Sequence, residues 1–262
     1  MNNSIVTLKS PKFKIYYIDQ RYIDYLRQFD TKIQYNKKST RPYVGVVYNY
    51  KNVNYFVPMA HPKPKHLQMN PKKIDIYKIN DGKYGILNIN NMIPSPSSCL
   101  TEVLKITTDK KYKILLQNQL TFLNTPKNSK ELIKKINNFQ QKYRKGYLDK
   151  NVLTRTCNFP LLEEKCKFWN IIQDNIHTIN DYYSDNFENS ILKDIEVIIY
   201  NSETKYELKE YAKTISENRA EYKKELDKLD YAKPLDDLKD VIVDIINRPP
   251  PSLNNDEEED ER

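Results

Sequence analysis

Residues 41–59, RPYVGVVYNYKNVNYFVPM, decide the prediction of the fold. They contain two runs rich in β-branched and aromatic residues, 43–48 and 53–58, on either side of the polar sequence NYKN. Two such runs around a short polar segment are typical of a β-hairpin. The second run leads directly into AHPKPKH, residues 60–66, so we expect the hairpin to present a cationic, proline-rich loop at one end of a sheet.

Other β-rich segments extend this sheet. FKIYYID, residues 13–19, alternates in polarity and predicts a strand, and the residues behind a predicted Asp19 cap show helical spacing. That helix presents Tyr22, Ile23, Leu26 and Phe29. Further strands are predicted at 74–79 and 84–89, joined by an NDG turn at 80–82. The first half of the chain is therefore expected to be mainly antiparallel sheet.

Helical patterns dominate the rest of the chain. Three helices, at about 110–124, 128–147 and 158–172, are expected to pack on the sheet. Beyond residue 172 the segment NSILKDIEVIIYN fits either a helix or a strand, and 204–230 predicts one long amphipathic helix. A final helix is predicted with Pro234 near its first turn, ending before RPPPS. The fold class is thus α+β, followed by an α-helical module.

The charge is distributed unevenly along the 262 residues. The formal net charge of +8 combines about +20 over residues 1–170 with about −12 over residues 171–262. A strongly basic segment attracts polyanions, and an acidic one can compete with them or keep the chain soluble. Together with the change of sequence pattern after residue 172, this division predicts a basic domain at 1–172, an acidic helical extension at 173–250 and a disordered acidic tail at 251–262.

The compartment follows from the cysteines and from the lack of apolar segments. The three cysteines form no CxxC pair, and no secretory leader pattern precedes the fold. No stretch approaches the 18 apolar residues of a membrane span. We therefore expect a cytoplasmic protein that does not contact membranes.

The loop after the hairpin carries the chemistry. Its prolines restrict the backbone and resist helix formation, so the side chains between them are held in few directions. Lys63 and Lys65 can contact phosphate oxygens, Arg41 can add a bidentate contact, and His61 or His66 can exchange a proton near neutral pH. These residues suit RNA cleavage by attack of a 2′-OH on the adjacent phosphorus, with no metal or other cofactor. The alternative is an exposed basic turn without chemistry.

Five segments, read in order, resemble the ToxN/AbiQ family of endoribonuclease toxins from type III toxin-antitoxin and phage-abortive-infection systems. They are IYYIDQRYIDYLRQFD, RPYVGVV, YFVPMAHPKPKH, KYGILNINNMIP and TCNFPLLEEKCKFW. The resemblance covers roughly residues 12–170. It implies a compact α+β fold with a strongly bent antiparallel sheet, and metal-independent RNA cleavage that leaves a 2′,3′-cyclic phosphate. It also implies inhibition by a repeat RNA antitoxin folded as a pseudoknot, in an assembly of toxins and RNAs.

The resemblance also implies a set of catalytic residues. The lysine of the family's PLTSPK loop corresponds to Lys63, the basic residue before its GV strand to Arg41, and the tyrosine early in its first helix to Tyr22. Where the family usually has Thr-Ser, this chain has Ala60-His61. Either His61 performs the proton transfer, which the reference histidine pKa of about 6.5 would suit, or the site is weakened or inactive.

Four further residues are candidate RNA contacts: Lys65, His66, Tyr43 and Asn90. Two of them have a structural alternative, because His66 can hold a turn through backbone hydrogen bonds and Asn90 can cap one. Tyr22 can equally be an aromatic residue of the core.

The resemblance ends near residue 172, so the acidic extension is open to two hypotheses. It either folds over the basic groove as an RNA-like inhibitor, or forms a helical module for self-association or partner binding. Three classes of function follow: an endoribonuclease toxin, a catalytically weakened RNA-binding protein, and an interaction protein in which the extension matters most.

Overall fold

The computed structural model describes residues 12–36, 40–184 and 192–248, with the side chains of residues 182, 184, 192 and 193 left out. The chain forms two compact units that meet in sequence between Phe168 and Trp169. None of the helices formed by the described residues combines the length and the apolar character that crossing a bilayer demands. The predicted disordered tail, 251–262, lies outside the described residues.

The first unit is built on an antiparallel sheet, as predicted. The strands are β1 (Lys14–Ile18), β2 (Tyr43–Tyr50), β3 (Val53–Ala60), β4 (Ile76–Lys78), β5 (Ile86–Asn88), β6 (Ile93–Pro94) and β7 (Leu100–Glu102). They are ordered β4-β5-β3-β2-β1-β7, and β6 also pairs with β3. The sequence predicted β1 to β5 but gave no sign of β6 and β7, whose two or three residues are too short for a periodic pattern.

The hairpin of β2 and β3 forms the centre of the sheet. Tyr43 pairs with Pro58 and Tyr50 with Val53, so the chain reverses at Lys51 and Asn52. Both turn residues have positive φ, 48° and 65°, the backbone that two-residue hairpin turns require. The predicted hairpin is confirmed, and each strand is two residues longer than expected.

Among the described residues, six α-helices and the start of a seventh belong to the same unit. They are α1 (Gln20–Phe29), α2 (Pro64–Gln68), α3 (Val103–Ile106), α4 (Lys110–Leu123), α5 (Pro126–Arg144), α6 (Lys150–Leu153) and α7 (Phe159–Ser184). The Asp19 carboxylate accepts a hydrogen bond from the Arg21 backbone N–H and caps α1, as predicted. α5 packs on β2 and α4 on β1. The predicted end of the third helix, residue 172, is wrong, because α7 continues to Ser184.

The second unit is helical in its described part. After the end of α7 it contains α8 (Leu192–Tyr200), α9 (Lys205–Asn218), α10 (Ala220–Leu226) and α11 (Leu235–Asn247). Of the segment that fitted either a helix or a strand, residues 192–200 are helical. With its sheet followed by this helical part, the chain has the α+β class that its sequence predicted.

The single long helix predicted at 204–230 is wrong. Arg219 has extended backbone angles, φ −132° and ψ 93°, and separates α9 from α10. The chain then turns back, since the Lys205 ammonium at the start of α9 donates a hydrogen bond to the Tyr231 carbonyl at 3.0 Å. No glycine or proline marks this break, and the apolar pattern continues across it. The sequence therefore gives no sign that the helix ends there.

Candidate active site

The loop between β3 and α2 lies at one end of the central hairpin. The Met59 N–H donates to the Pro42 carbonyl at 2.9 Å, and Ala60 pairs with Ile86 of β5. The chain leaves the sheet after Ala60 with His61, Pro62 and Lys63 exposed to solvent. Because Arg41 directly precedes Pro42, the register brings Arg41 to the same end of the hairpin as His61 and Lys63.

Only the first half of the predicted loop is irregular. We expected its prolines to resist helix formation, but Pro64 begins the short helix α2. The first helical position tolerates proline because its backbone N–H would have no helical partner there. Lys63 is the residue before this helix and keeps extended angles, φ −143° and ψ 147°. Lys65, which directly follows Pro64 in α2, is exposed.

Two glycines lie directly beneath this loop. A Cβ at Gly85 would come within 2.1 Å of the Ala60 carbonyl oxygen, and a Cβ at Gly82 within 2.6 Å of the His66 carbonyl oxygen. Both have positive φ, 94° and 92°, a conformation that disfavours other residues. The Lys78 ammonium also donates to the Leu67 carbonyl at 2.9 Å. The loop is therefore supported at both ends by the segment 78–85.

Arg41 is half-buried and held in a fixed direction. Its Nε donates to the Tyr35 carbonyl and its Nη1 to the Gln34 side-chain oxygen, both at 2.7 Å. The Gln34 amide nitrogen donates in turn to the Asn91 side-chain oxygen at 3.1 Å. Burial lowers the pKa of the Arg41 guanidinium below its ordinary value. An arginine nevertheless stays protonated in proteins, so the site keeps this positive charge.

His61 lies next to an aromatic residue that the sequence analysis did not select. The rings of His61 and Tyr112 of α4 are 5.5 Å apart between centroids and inclined by 45°. Burial is the main cause of a raised pKa of the Tyr112 hydroxyl, which therefore stays protonated near neutral pH. This contact limits the directions in which the His61 imidazole can point.

Residues 14–167 match the family model described as Toxin ToxN, type III toxin-antitoxin system. This match includes the whole loop, its supporting segment and Arg41. The chain belongs to the ToxN toxin family. The predicted membership is confirmed, and with it the class of enzyme, because the relatives of this family carry the name endoribonuclease.

Three known members show how far the ToxN likeness extends. The endoribonuclease ToxN of Bacillus thuringiensis subsp. kurstaki is 33% identical over 174 residues, which are 60% of this chain and 84% of that protein. The solved structure of AbiQ, a lactococcal anti-phage endoribonuclease, is 27% identical, covers 61% of this chain and 99% of its own, and has a TM-score of 0.53. A type III toxin inhibited by a non-coding RNA pseudoknot is 31% identical, covers 61% and 99%, and has a TM-score of 0.50.

Four of the residues assigned to the ToxN site from the sequence are buried. They are Tyr22, Tyr43, His66 and Asn90, each at most 5% exposed. The Tyr22 hydroxyl donates to the Pro94 carbonyl at 2.8 Å, and the Asn90 amide donates to the Arg155 carbonyl at 2.7 Å. Burial raises the pKa of both tyrosine hydroxyls. Their burial leaves almost no surface of these four side chains open to RNA in this structure, and two of them hold neighbouring segments through hydrogen bonds.

His66 differs from Tyr22 and Asn90 in its hydrogen bonding. Among the described residues, its buried Nδ1 has no hydrogen-bond partner. Burial, and then the charges of Lys65 and Lys63, lower the pKa of its imidazole. The ring is therefore neutral at physiological pH.

The residues that support the ToxN loop were not among the predicted site residues. Gly82 was assigned only to a hairpin turn, and Gly85 and Lys78 received no role. The available signal was composition, since two of the four glycines of the chain occur within GKYG, residues 82–85. Tyr112 gave no signal, because its contact with His61 joins segments that are distant in sequence.

Proposed function

We propose that this chain cleaves RNA by attack of a ribose 2′-oxygen on the adjacent phosphorus. The new O2′–P bond replaces the P–O5′ bond, which leaves a 2′,3′-cyclic phosphate and a 5′-hydroxyl. The 2′-OH proton goes to a base, and the departing O5′ takes a proton from an acid. The exposed segment from His61 to Lys63, at the same end of the hairpin as Arg41, is the observation that carries this proposal.

Each exposed residue has a distinct role in the proposed reaction. His61 acts as the base or the acid of the proton transfers, in the place where the family usually has a hydroxyl pair. Lys63 stabilises the negative charge that develops on the phosphorane oxygens. Arg41 uses Nε and Nη1 to hold its own position, and we assign its Nη2 to a phosphate oxygen. Lys65 contacts the RNA backbone beside the cleaved bond.

The buried residues have positioning roles in this scheme. Tyr22 fixes Pro94, and Tyr43 occupies the core at the start of β2. Asn90 binds the backbone of Arg155, and its carbonyl accepts the Cys157 N–H at 3.0 Å. His66 is buried in α2. None of the four is assigned a contact with the reacting atoms.

The proposed regulator is a repeat RNA that folds as a pseudoknot, in a cytoplasmic toxin-antitoxin system. A non-coding RNA pseudoknot inhibits the similar toxin described above. The net charge of about +20 over residues 1–170 supports a polyanionic partner. Antitoxin RNA and substrate RNA would compete for the same exposed lysines.

Cleavage of a defined RNA in EDTA tests the mechanism. Full-length wild type, His61→Ala and Lys63→Ala are compared, with Lys213→Ala as a matched control in the second unit, where Lys213 forms an exposed ion pair with Glu217. We expect cyclic phosphate ends from the wild type and the control. Loss of about 10²–10⁴-fold in rate is expected from His61→Ala, the usual contribution of a general acid or base. Full activity of His61→Ala would move proton transfer to another group.

A second candidate function is RNA binding without cleavage. It is favoured by the replacement of the family's Thr-Ser pair by Ala60-His61. In that case wild type binds the RNA and leaves it intact at every pH tested. Cyclic phosphate ends that disappear in Lys63→Ala would exclude this function.

A further inference from the structure

The helices of the second unit differ in how their charges are compensated. Residues 205–227, which form α9 and α10, carry six carboxylates and six basic side chains. Many of these lie beside a partner: Lys213 and Glu217 at 3.6 Å, Arg219 and Glu221 at 3.3 Å, and Lys223 and Asp227 at 3.0 Å. This surface is therefore close to neutral.

α8 and α11 carry six carboxylates and only two lysines. One of these, Lys239, is largely buried and pairs with Asp236 at 3.2 Å. Asp244 pairs with Arg248, directly after α11. Among the described residues, Asp194, Glu196, Asp237 and Asp240 have no ion-pair partner. Their negative charge is therefore not cancelled.

Neutral donors hold two of these carboxylates in place. The Tyr200 hydroxyl donates to Asp240 at 3.3 Å, and the Asn247 amide donates to Glu196 at 2.7 Å. Both hydrogen bonds run between α8 and α11, which pack against each other. A neutral donor fixes a carboxylate without cancelling its charge, so the two helices form one ordered acidic face.

This acidic face also carries exposed apolar surface. Val197 is 56% exposed and Tyr200 is 48% exposed, one helical turn apart on α8. Central aromatic and aliphatic side chains with charged residues around them are typical of protein–protein interfaces. The α8–α11 face, defined as Asp194, Glu196, Val197, Tyr200, Asp237 and Asp240, combines both features.

We propose that the α8–α11 face docks on the basic nuclease unit of a second copy of this chain. The net charge of about +20 over residues 1–170 is complementary to the uncompensated carboxylates of the face. The family match ends at residue 167, so this surface belongs to the part of the chain without a ToxN counterpart. The proposed function assigns this basic surface to RNA, and the next step rests on that assignment. Because both partners need the same surface, docking and RNA binding are mutually exclusive.

Self-association of full-length protein tests the docking. The face variant combines Asp194→Asn, Asp237→Asn and Asp240→Asn. The matched control combines Glu217→Gln, Glu221→Gln and Asp227→Asn, which remove the same charge from residues 205–227. Sedimentation velocity is measured at about 50 mM and about 500 mM salt, because screening weakens contacts between exposed charges. We expect wild type and control to associate at low salt only, and the face variant to associate at least about tenfold more weakly.

The role of the basic unit is tested by adding a 2′-O-methyl RNA, which lacks the attacking hydroxyl. This RNA should dissociate the wild-type assembly. Wild type that stays monomeric at low salt, equal losses in both triple variants, or an assembly unaffected by RNA would each overturn the proposal. Tighter RNA binding by a monomeric face variant would also overturn it, by assigning the face to the nuclease unit of its own chain. These measurements do not depend on cleavage, so they stand apart from failure of the proposed activity.

Discussion

The two halves of the loop after β3 contain the same residue types and lie in different environments. His61 and Lys63 are exposed at the end of the hairpin, whereas His66, in α2, is 2% exposed. Each half has a histidine, a lysine and a proline, so local sequence does not distinguish them. Gly82 lies close to the second half, where a Cβ on it would come within 2.6 Å of the His66 carbonyl oxygen.

This contrast shows that a histidine near lysines is not by itself a catalytic group. Solvent access makes His61 available to a substrate proton, and burial makes His66 part of the packing. The segment that approaches the His66 backbone also supports the exposed half, since a Cβ at Gly85 would come within 2.1 Å of the Ala60 carbonyl oxygen. The proposed reactive surface therefore lies on a supported loop, and each half can be perturbed separately.

The largest expected effect separates the two histidines. His61→Ala should lower the cleavage rate at pH 7 by about 10²–10⁴-fold, and it should remove the pH dependence of the rate that a titrating histidine produces. His66→Gln should keep the shape of the pH profile and lose less than about tenfold in rate, because His66 does not reach substrate. Single-turnover rates between about pH 5 and 8 measure both. The reverse order of effects would assign the chemistry to His66.

Gly85→Ala should disturb the base on which the exposed half rests. The new Cβ would lie 2.1 Å from the Ala60 oxygen, and φ is 94°. Positive φ costs a residue with a Cβ about 1–2 kcal/mol, and overpacking adds about 1–3 kcal/mol.

Gly146→Ala is the matched control for this steric effect. Its φ is also positive, 72°, but no atom lies within 4 Å of the new Cβ. Urea unfolding and cleavage rates of both variants separate steric contact from backbone strain. Equal losses in the two variants would show that the close approach of Gly85 contributes nothing.

Sequence patterns were sufficient for the parts of this fold that repeat. The alternation in β2 and β3 and the acidic cap of α1 come from residues that are near each other in the chain. The α9–α10 break at Arg219 was not predictable in this way, because neither glycine nor proline marks it and the apolar residues continue across it. Only packing of the returning chain shows why the helix ends there.

The sequence predicted the exposed residues of the candidate site better than it predicted the role of the buried ones. Lys63, His61 and Arg41 are found at one end of the sheet because the hairpin register fixes their positions. From the sequence, Tyr22 fits either the site or the core, and Asn90 either an RNA contact or a turn cap. In the structure both side chains, like that of Tyr43, are buried. Burial depends on contacts between distant segments, such as Tyr22 with Pro94, which a single sequence does not contain.

The buried His66 should also affect stability in acid. Burial is the largest cause that lowers the pKa of His66 below its ordinary value of 6.5. The unfolded chain therefore binds a proton at a higher pH than the folded chain, and stability is lost as the pH falls below about 6.5. His66→Gln should show a smaller change in the urea midpoint between about pH 7.5 and pH 5. If the urea midpoints of wild type and variant changed with pH in parallel, His66 would be protonated equally in the folded and the unfolded chain.

Tyr22→Phe should give the smallest effect, and it tests whether a residue matched to the family's catalytic tyrosine acts only through packing. The substitution removes the hydrogen bond to the Pro94 carbonyl and leaves that buried oxygen unpaired, at a cost of about 1–3 kcal/mol. Tyr35→Phe is the control, because Tyr35 is exposed. Since Tyr22 presents no surface to RNA, the single-turnover rate well below the unfolding temperature should change less than about threefold, within the range of a weak positioning effect. A loss of about 100-fold in rate with unchanged stability would place the Tyr22 hydroxyl in the reaction and require α1 to move when RNA binds.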